Sequence, residues 1–263
     1  MIASSEKEKV GLALKKVGKW LASNKKNPEF TEIISLEGLK TKADIEANKL
    51  LFKYLSLATP RIPIFSEELA HSISDRPKKY WLIDPIDGTA SWLSGFEGYV
   101  CQLALINDNE PELGMIYWPE RDRLYSSSVD GVFLNNKKLF QPSLNVPSIV
   151  IDNYPYPRGI AAVLLSRVST HRYIECGSLG LKTIRTLAGE ADIFVKSTIV
   201  RDWDMAPAMA FQKFGWGAIS NLRGQRLRLG QNIEFDQGLV VSHDCNVAED
   251  TVRLLVDQIK GRE

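Results

Sequence analysis

A layered α/β sandwich, of the α+β kind, is the fold class this sequence predicts. Three observations point to it. Helical apolar spacing comes first, before any strand. A series of short apolar runs separated by turn residues follows. The second half then alternates strand-like with helix-like runs, and such elements bury their apolar faces best in layers. The 263 residues are read as a single domain over 1–263, with an N-terminal α+β lobe over 1–145 and a C-terminal α/β lobe over 146–263.

Val10, Leu14, Val17 and Leu21 recur at helical spacing, which predicts an amphipathic helix over 6–24 that Asn27-Pro28 ends. A second helix is expected over 44–57, with Asp44 near its start, where a carboxylate suits the helix dipole. Ile62–Phe65 and Tyr80–Ile83 read as buried strands, Tyr99–Ile106 and Leu113–Tyr117 as two more. Leu124–Ser128 and Val132–Leu134 read as a hairpin around Asp130-Gly131. So far this is a mainly antiparallel sheet behind two helices. Further on, Ser148–Ile151 and Ala161–Leu165 are expected as strands, Ser178–Ala188 as a helix stopped by Gly189, and Ile193–Val195 as a short strand. A helix over 204–214, a strand over Leu239–Ser242 and a last helix marked by Val252, Leu255 and Ile259 complete the chain.

Charge and cysteine usage narrow the function classes. Lys plus Arg total 33 against 32 Asp plus Glu, a net charge of +1, which argues against a nucleic acid polymer or a membrane surface as partner. Cys101, Cys176 and Cys245 have no regular spacing, so no disulfide framework is expected, and a reducing cytoplasm fits. His243 near Cys245 does not make a zinc set. Residues Met1–Lys9 lack the apolar core of a signal peptide, and no apolar stretch reaches the length of a membrane span.

The chemistry is carried by acidic clusters. In Trp81-Leu82-Ile83-Asp84-Pro85-Ile86-Asp87-Gly88-Thr89 a buried strand delivers two aspartates three residues apart at its end. Carboxylates so placed suit hard cations, which prefer oxygen ligands, and the Ile86 carbonyl can supply another oxygen. The amides of Gly88 and Thr89 could open a helix and face a phosphate. Read alone, a D-P-x-D is a common turn, Glu67 and Glu68 a solvated loop, and Asp204 a helix cap. Three such clusters in one chain are harder to set aside together.

These residues resemble a known family. Asp84-Pro85-Ile86-Asp87-Gly88-Thr89 is similar to the D-P-[IL]-D-G-T signature of the inositol monophosphatase superfamily, and Trp203-Asp204-Met205-Ala206 to its W-D-x-A signature. Ser66-Glu67-Glu68 and Thr41-Lys42-Ala43-Asp44 match its acidic and T-x-A-D segments, in order and spacing. Leu124-Tyr125 with Gly131–Asn135 resembles its hairpin. The resemblance implies an αβαβα sandwich of the sugar-phosphatase type and a Mg²⁺-dependent phosphomonoesterase acting on a small phosphorylated metabolite. Glu67, Asp84, Asp87, Asp204 and the Ile86 carbonyl would hold two or three Mg²⁺ ions. Glu67 would also position the attacking water, and Thr89, hydrogen-bonded to Asp44, would assist its deprotonation. His71, His171 and His243 lie outside these motifs and are read as structural or surface residues. A homodimer is the family tendency.

Two positions depart from the pattern. Many relatives carry a Lys before the T-x-A-D segment, near a third metal; here Ile33–Glu37 has none until Lys40. Leu69 follows Glu68 where relatives often have Ser or Asp. For the substrate, the resemblance implies contacts from Gly88, Thr89 and Ser178, and it singles out Lys182 and Lys196. A Lys near 182 resembles the 3′(2′),5′-bisphosphate nucleotidases, and Lys196 stands where inositol phosphatases place a Glu. Both lysines would favour a second anionic group, although both could equally face solvent. The expectations are therefore an inositol monophosphatase-like enzyme, with a bisphosphate nucleotidase or a fructose-1,6-bisphosphatase as alternatives. From another class comes a catalytically inactive metabolite-binding or regulatory protein, against which the intact carboxylate set argues.

Overall fold

The computed structural model describes residues 2–35, 39–69, 72–141, 149–167 and 172–260. Leu36, Glu37, His71, Ser148, His171 and the expected lobe boundary at 145/146 lie outside the described residues. Seven helices are described: α1 Ser4–Asn24, α2 Lys42–Ala58, α3 Thr89–Leu93, α4 Gly159–Arg167, α5 Leu179–Leu187, α6 Asp202–Lys213 and α7 Cys245–Lys260.

The larger sheet has seven strands lying in chain order: β1 Ile64–Ser66, β2 Lys79–Asp87, β3 Val100–Asn107, β4 Glu110–Trp118, β5 Arg123–Ser128, β6 Gly131–Leu134 and β7 Lys137–Lys138. Only β1 and β2 run parallel. The smaller sheet contains β8 Ile149–Asp152, β9 Arg172–Glu175, β10 Ile193–Lys196, β11 Ala218–Ser220 and β12 Leu239–Ser242, in the order β9-β8-β10-β12-β11. Short ribbons pair Ile33–Ser35 with Lys40–Thr41 and Val200–Arg201 with Glu234–Phe235.

Five layers result. α1 and α2 cover one face of the larger sheet, and α5 and α6 lie between the two sheets. α4 and α7 cover the far face of the smaller one. The α1 positions Val10, Leu14, Val17 and Leu21 are sealed from solvent and meet Trp81, Ile83 and Leu103 of the sheet. The middle layer buries Leu181, Ile184, Met205 and Phe211 between Leu82 and Ala104 on one side and Phe194 and Val241 on the other. Removing that much apolar surface from water is what holds the layers together.

Two local expectations are corrected. Residues 161–165, expected as a strand, belong to α4. A short continuous apolar run does not by itself distinguish helix from strand; here Ala161 and Leu164, three apart, share the buried side, which is helical spacing. The strand expected to stop at Ile83 continues as β2 to Asp87, its register against β3 broken between Asp84 and Asp87. Pro85 has no N–H for the ladder, so the irregularity falls there. Segments 172–175 and 218–220, both strands, were not expected as such.

Candidate active site

The parallel neighbours β1 and β2 bring two acidic segments side by side, with Ser66 opposite Ile83. Glu67 follows β1 directly, and its N–H donates to the Ile83 carbonyl at 3.2 Å. Asp84 is the next residue of β2. From the middle layer, the first turn of α6 supplies Asp204, whose Oδ2 accepts the Arg201 N–H at 2.8 Å. Glu67, Asp84 and Asp204 each offer an oxygen, and these lie within 4.8 Å of one another.

The electrostatics of that group would suit a cation. Burial, followed by the charges of Asp204, Glu68 and Asp87, pushes Glu67 up to about 8. Burial and then Asp87 push Asp204 up to about 7. Asp84, sealed from solvent, is raised well above the carboxylate range by burial and then by Glu67. Like charges crowded out of water take up protons unless a cation neutralises them. An all-oxygen carboxylate set fits a hard divalent cation such as Mg²⁺.

Asp87 has a different setting. Its Oδ1 accepts the Leu179 N–H at 3.3 Å and its Oδ2 the Gly180 N–H, so it anchors the start of α5. Gln102, opposite Asp84 in β3, donates to Asp84 at 3.4 Å and to Asp87 at 3.5 Å. Gly180 makes this close approach feasible: a Cβ there would lie 2.3 Å from Gln102 Oε1. The Ile86 carbonyl is 3.4 Å from the Thr89 hydroxyl. That hydroxyl donates to Asp44 Oδ1 at 2.8 Å, while Asp44 Oδ2 accepts from the N–H and hydroxyl of Thr41 at 2.7 and 2.6 Å. Gly88, at φ +94°, turns the chain from β2 into the five-residue α3, and a Cβ on it would meet the Ser178 Cβ at 2.6 Å.

A cavity of about 500 Å³ opens at this place, lined among others by Asp87, Gly88, Ser178, Lys182, Lys196 and Asp204. Both lysines singled out in the sequence therefore border one space, and neither side chain is fully exposed. Lys182 is buried; its ammonium donates to Asn153 and to the Gly177 carbonyl, the latter at 2.6 Å, and burial lowers its pKa to about 8. Ser178 is committed to capping α5, its hydroxyl accepting the Leu181 N–H at 3.2 Å. Sequence reasoning missed Gln102, Asn153 and Glu175, the last two also lining the cavity. Only the position of Gln102 opposite Asp84 would have pointed to it, and that needs the strand register.

The family model for the inositol monophosphatase family matches residues 3–252. The chain belongs to the inositol monophosphatase family. Within it, the chain is similar to a 3′(2′),5′-bisphosphate nucleotidase, CysQ, of Buchnera aphidicola, 31% identical over 204 residues that cover 74% of this chain and 76% of the relative. A fructose-1,6-bisphosphatase/inositol-1-monophosphatase of Thermotoga maritima is 26% identical over 84% of this chain and 85% of its own. The fold matches the crystal structure of an IMPase/NADP phosphatase complexed with Mg²⁺ and phosphate, with a TM-score of 0.74 at 21% identity over 92% of this chain and 91% of that one. Inositol monophosphatase family members being phosphatases, phosphate ester hydrolysis is the activity class the comparisons support. Among the described residues no helix is long and apolar enough to cross a membrane.

Proposed function

We propose that this chain is a Mg²⁺-dependent phosphomonoesterase whose substrate is a small metabolite carrying a second phosphate. One observation carries the reading: the cavity that reaches Asp204 and Asp87 is also lined by Lys182 and Lys196. Glu67, Asp84 and Asp204 would hold the cation, with Asp87 beside them. When bound, Mg²⁺ would neutralise phosphoryl charge and acidify water, the two obstacles to hydrolysing a dianionic ester.

The chain's own residues do the rest. Thr89 donates its single hydroxyl hydrogen bond to Asp44, which leaves its lone pairs open to a water O–H. As that water attacks phosphorus in line, its proton passes to Thr89 and the Thr89 proton to Asp44. The alcohol leaves and takes a proton from solvent, Asp44 returns the relayed proton to solvent, and inorganic phosphate remains. Lys196, at the end of β10, would meet the second phosphate by a charge-assisted contact. Lys182 adds positive potential behind it.

A second reading, hydrolysis of a single-phosphate sugar or inositol ester, is favoured by Lys182 already being bonded to Asn153 and the Gly177 carbonyl. Phosphate release from adenosine 3′,5′-bisphosphate, fructose 1,6-bisphosphate, AMP and inositol 1-phosphate, each with Mg²⁺ and with EDTA, tests both. Higher kcat/KM on the bisphosphates supports the proposal. Equal or lower values return the choice to the single-phosphate reading, and no release from any would favour a binding protein.

A further inference from the structure

The three clustered carboxylates come from three separate segments of the chain, and one guanidinium meets a residue of each segment. Arg76 lies over the Phe65 ring at 5.9 Å and the Tyr80 ring at 5.5 Å. Phe65 is in β1, two residues before Glu67. Tyr80 is in β2, four residues before Asp84 and on the same face of the strand. The guanidinium fork also grips Asp202, Nη1 on Oδ2 and Nη2 on Oδ1 at 3.4 Å. Asp202 opens α6, two residues before Asp204. Both partners are almost sealed, with side-chain exposures of 3% and 0%. The Phe65 and Tyr80 rings meet edge to face at 5.4 Å.

We propose that Arg76 is a positioning residue for the carboxylate cluster: by holding Phe65, Tyr80 and Asp202 at once it sets where Glu67, Asp84 and Asp204 stand relative to one another. This rests on the reading of those carboxylates as a divalent cation site. Carboxylates crowded together repel one another, so their spacing has to be imposed from outside the cluster. A planar, bidentate and stacking cation does this where a flexible ammonium or an apolar side chain does not. A buried pair is in any case weak evidence for stability alone, because apolar substitutes of similar volume often hold a fold equally well. Partners behind metal ligands commonly change metal affinity by about tenfold to a hundredfold.

Two variants test this, Arg76→Lys and the double variant Arg76→Met with Asp202→Leu. Each is measured for Mn²⁺ Kd by EPR at 20 °C and for Tm in EDTA. The expected result is a Tm for the double variant within a few degrees of wild type, with its Mn²⁺ Kd raised at least about tenfold. Arg76→Lys keeps the charge and still binds Mn²⁺ more weakly. Should the double variant not fold, Arg76→Lys decides alone. Wild-type Kd in a folded double variant, or in Arg76→Lys, overturns the proposal while leaving the cation reading intact. A wild-type protein that binds no Mn²⁺ overturns the cation reading and this inference with it.

Discussion

Replacing Glu67 by Gln should stabilise the cation-free protein while removing its response to Mg²⁺. Gln keeps the size of the side chain and loses its charge. Burial and the neighbouring carboxylates move Glu67 from 4.5 to about 8. A carboxyl group raised in the fold holds a proton that the unfolded chain has lost at neutral pH. Its stability contribution is therefore complete below about 4.5 and is lost as pH rises through about 8. At pH 7 the cost comes to ~3 kcal/mol, from about 1.4 kcal/mol per pH unit above 4.5. The side chain is only half-buried and its neighbours share the repulsion, so screening leaves about 1–2 kcal/mol. For a chain of this size that raises Tm by about 2–8 °C. Circular-dichroism melts in EDTA should show this gain at pH 7 and little of it at pH 5. Added Mg²⁺ should raise the wild-type Tm at pH 7 and leave the variant unmoved. A variant less stable than wild type in EDTA at pH 7, or one that Mg²⁺ stabilises to the same extent, would refute the reasoning.

Asp87→Asn should abolish Mg²⁺-dependent phosphate release and keep the fold, at a cost of ~1 kcal/mol from the weakened bonds to the Leu179 and Gly180 N–H groups; near-normal turnover would remove Asp87 from the site. Gly180→Ala puts a methyl 2.8 Å from Asp87 Oδ2 and 2.3 Å from Gln102 Oε1, so urea unfolding should show a loss of about 1–3 kcal/mol together with lost activity. Lys196→Ala should raise KM for a bisphosphate about tenfold and leave a single-phosphate ester nearly unchanged, which steady-state kinetics on the two substrates will show. Lys182 loses its proton near pH 8, so the bisphosphate KM should climb above that pH; a flat profile up to pH 9.5 would deny it a role in binding.

Much of the fold was legible in the sequence because the deciding signals are local. Val10, Leu14, Val17 and Leu21 mark α1 by their spacing alone, and Asp130-Gly131 marks the hairpin between β5 and β6. The run at 161–165 was misread because an apolar stretch without alternation carries no period to read. Strands such as 172–175 and 218–220 escaped because each is three or four residues long and gains its state from its neighbours in the sheet.

The acidic residues of the candidate site were equally legible, since Glu67, Asp84, Asp87 and Asp204 stand in compact motifs. What the motifs could not convey is how these carboxylates are placed relative to one another. Glu67, Asp84 and Asp204 converge because β1 pairs with β2 and α6 is laid across the sheet, whereas Asp87 is turned to the start of α5. The sequence likewise left open whether Lys182 meets solvent; packing of α5 between two sheets buries it, and burial lowers its pKa. Arg76 and Asp202 are 126 residues apart and carry no shared motif. By itself, then, the sequence determined most of the elements and the donor types of the candidate site, because periodicity and donor type are properties of short segments. Tertiary structure alone decided which charges meet, which are buried and which are braced, because those depend on distances between segments that the chain order does not contain.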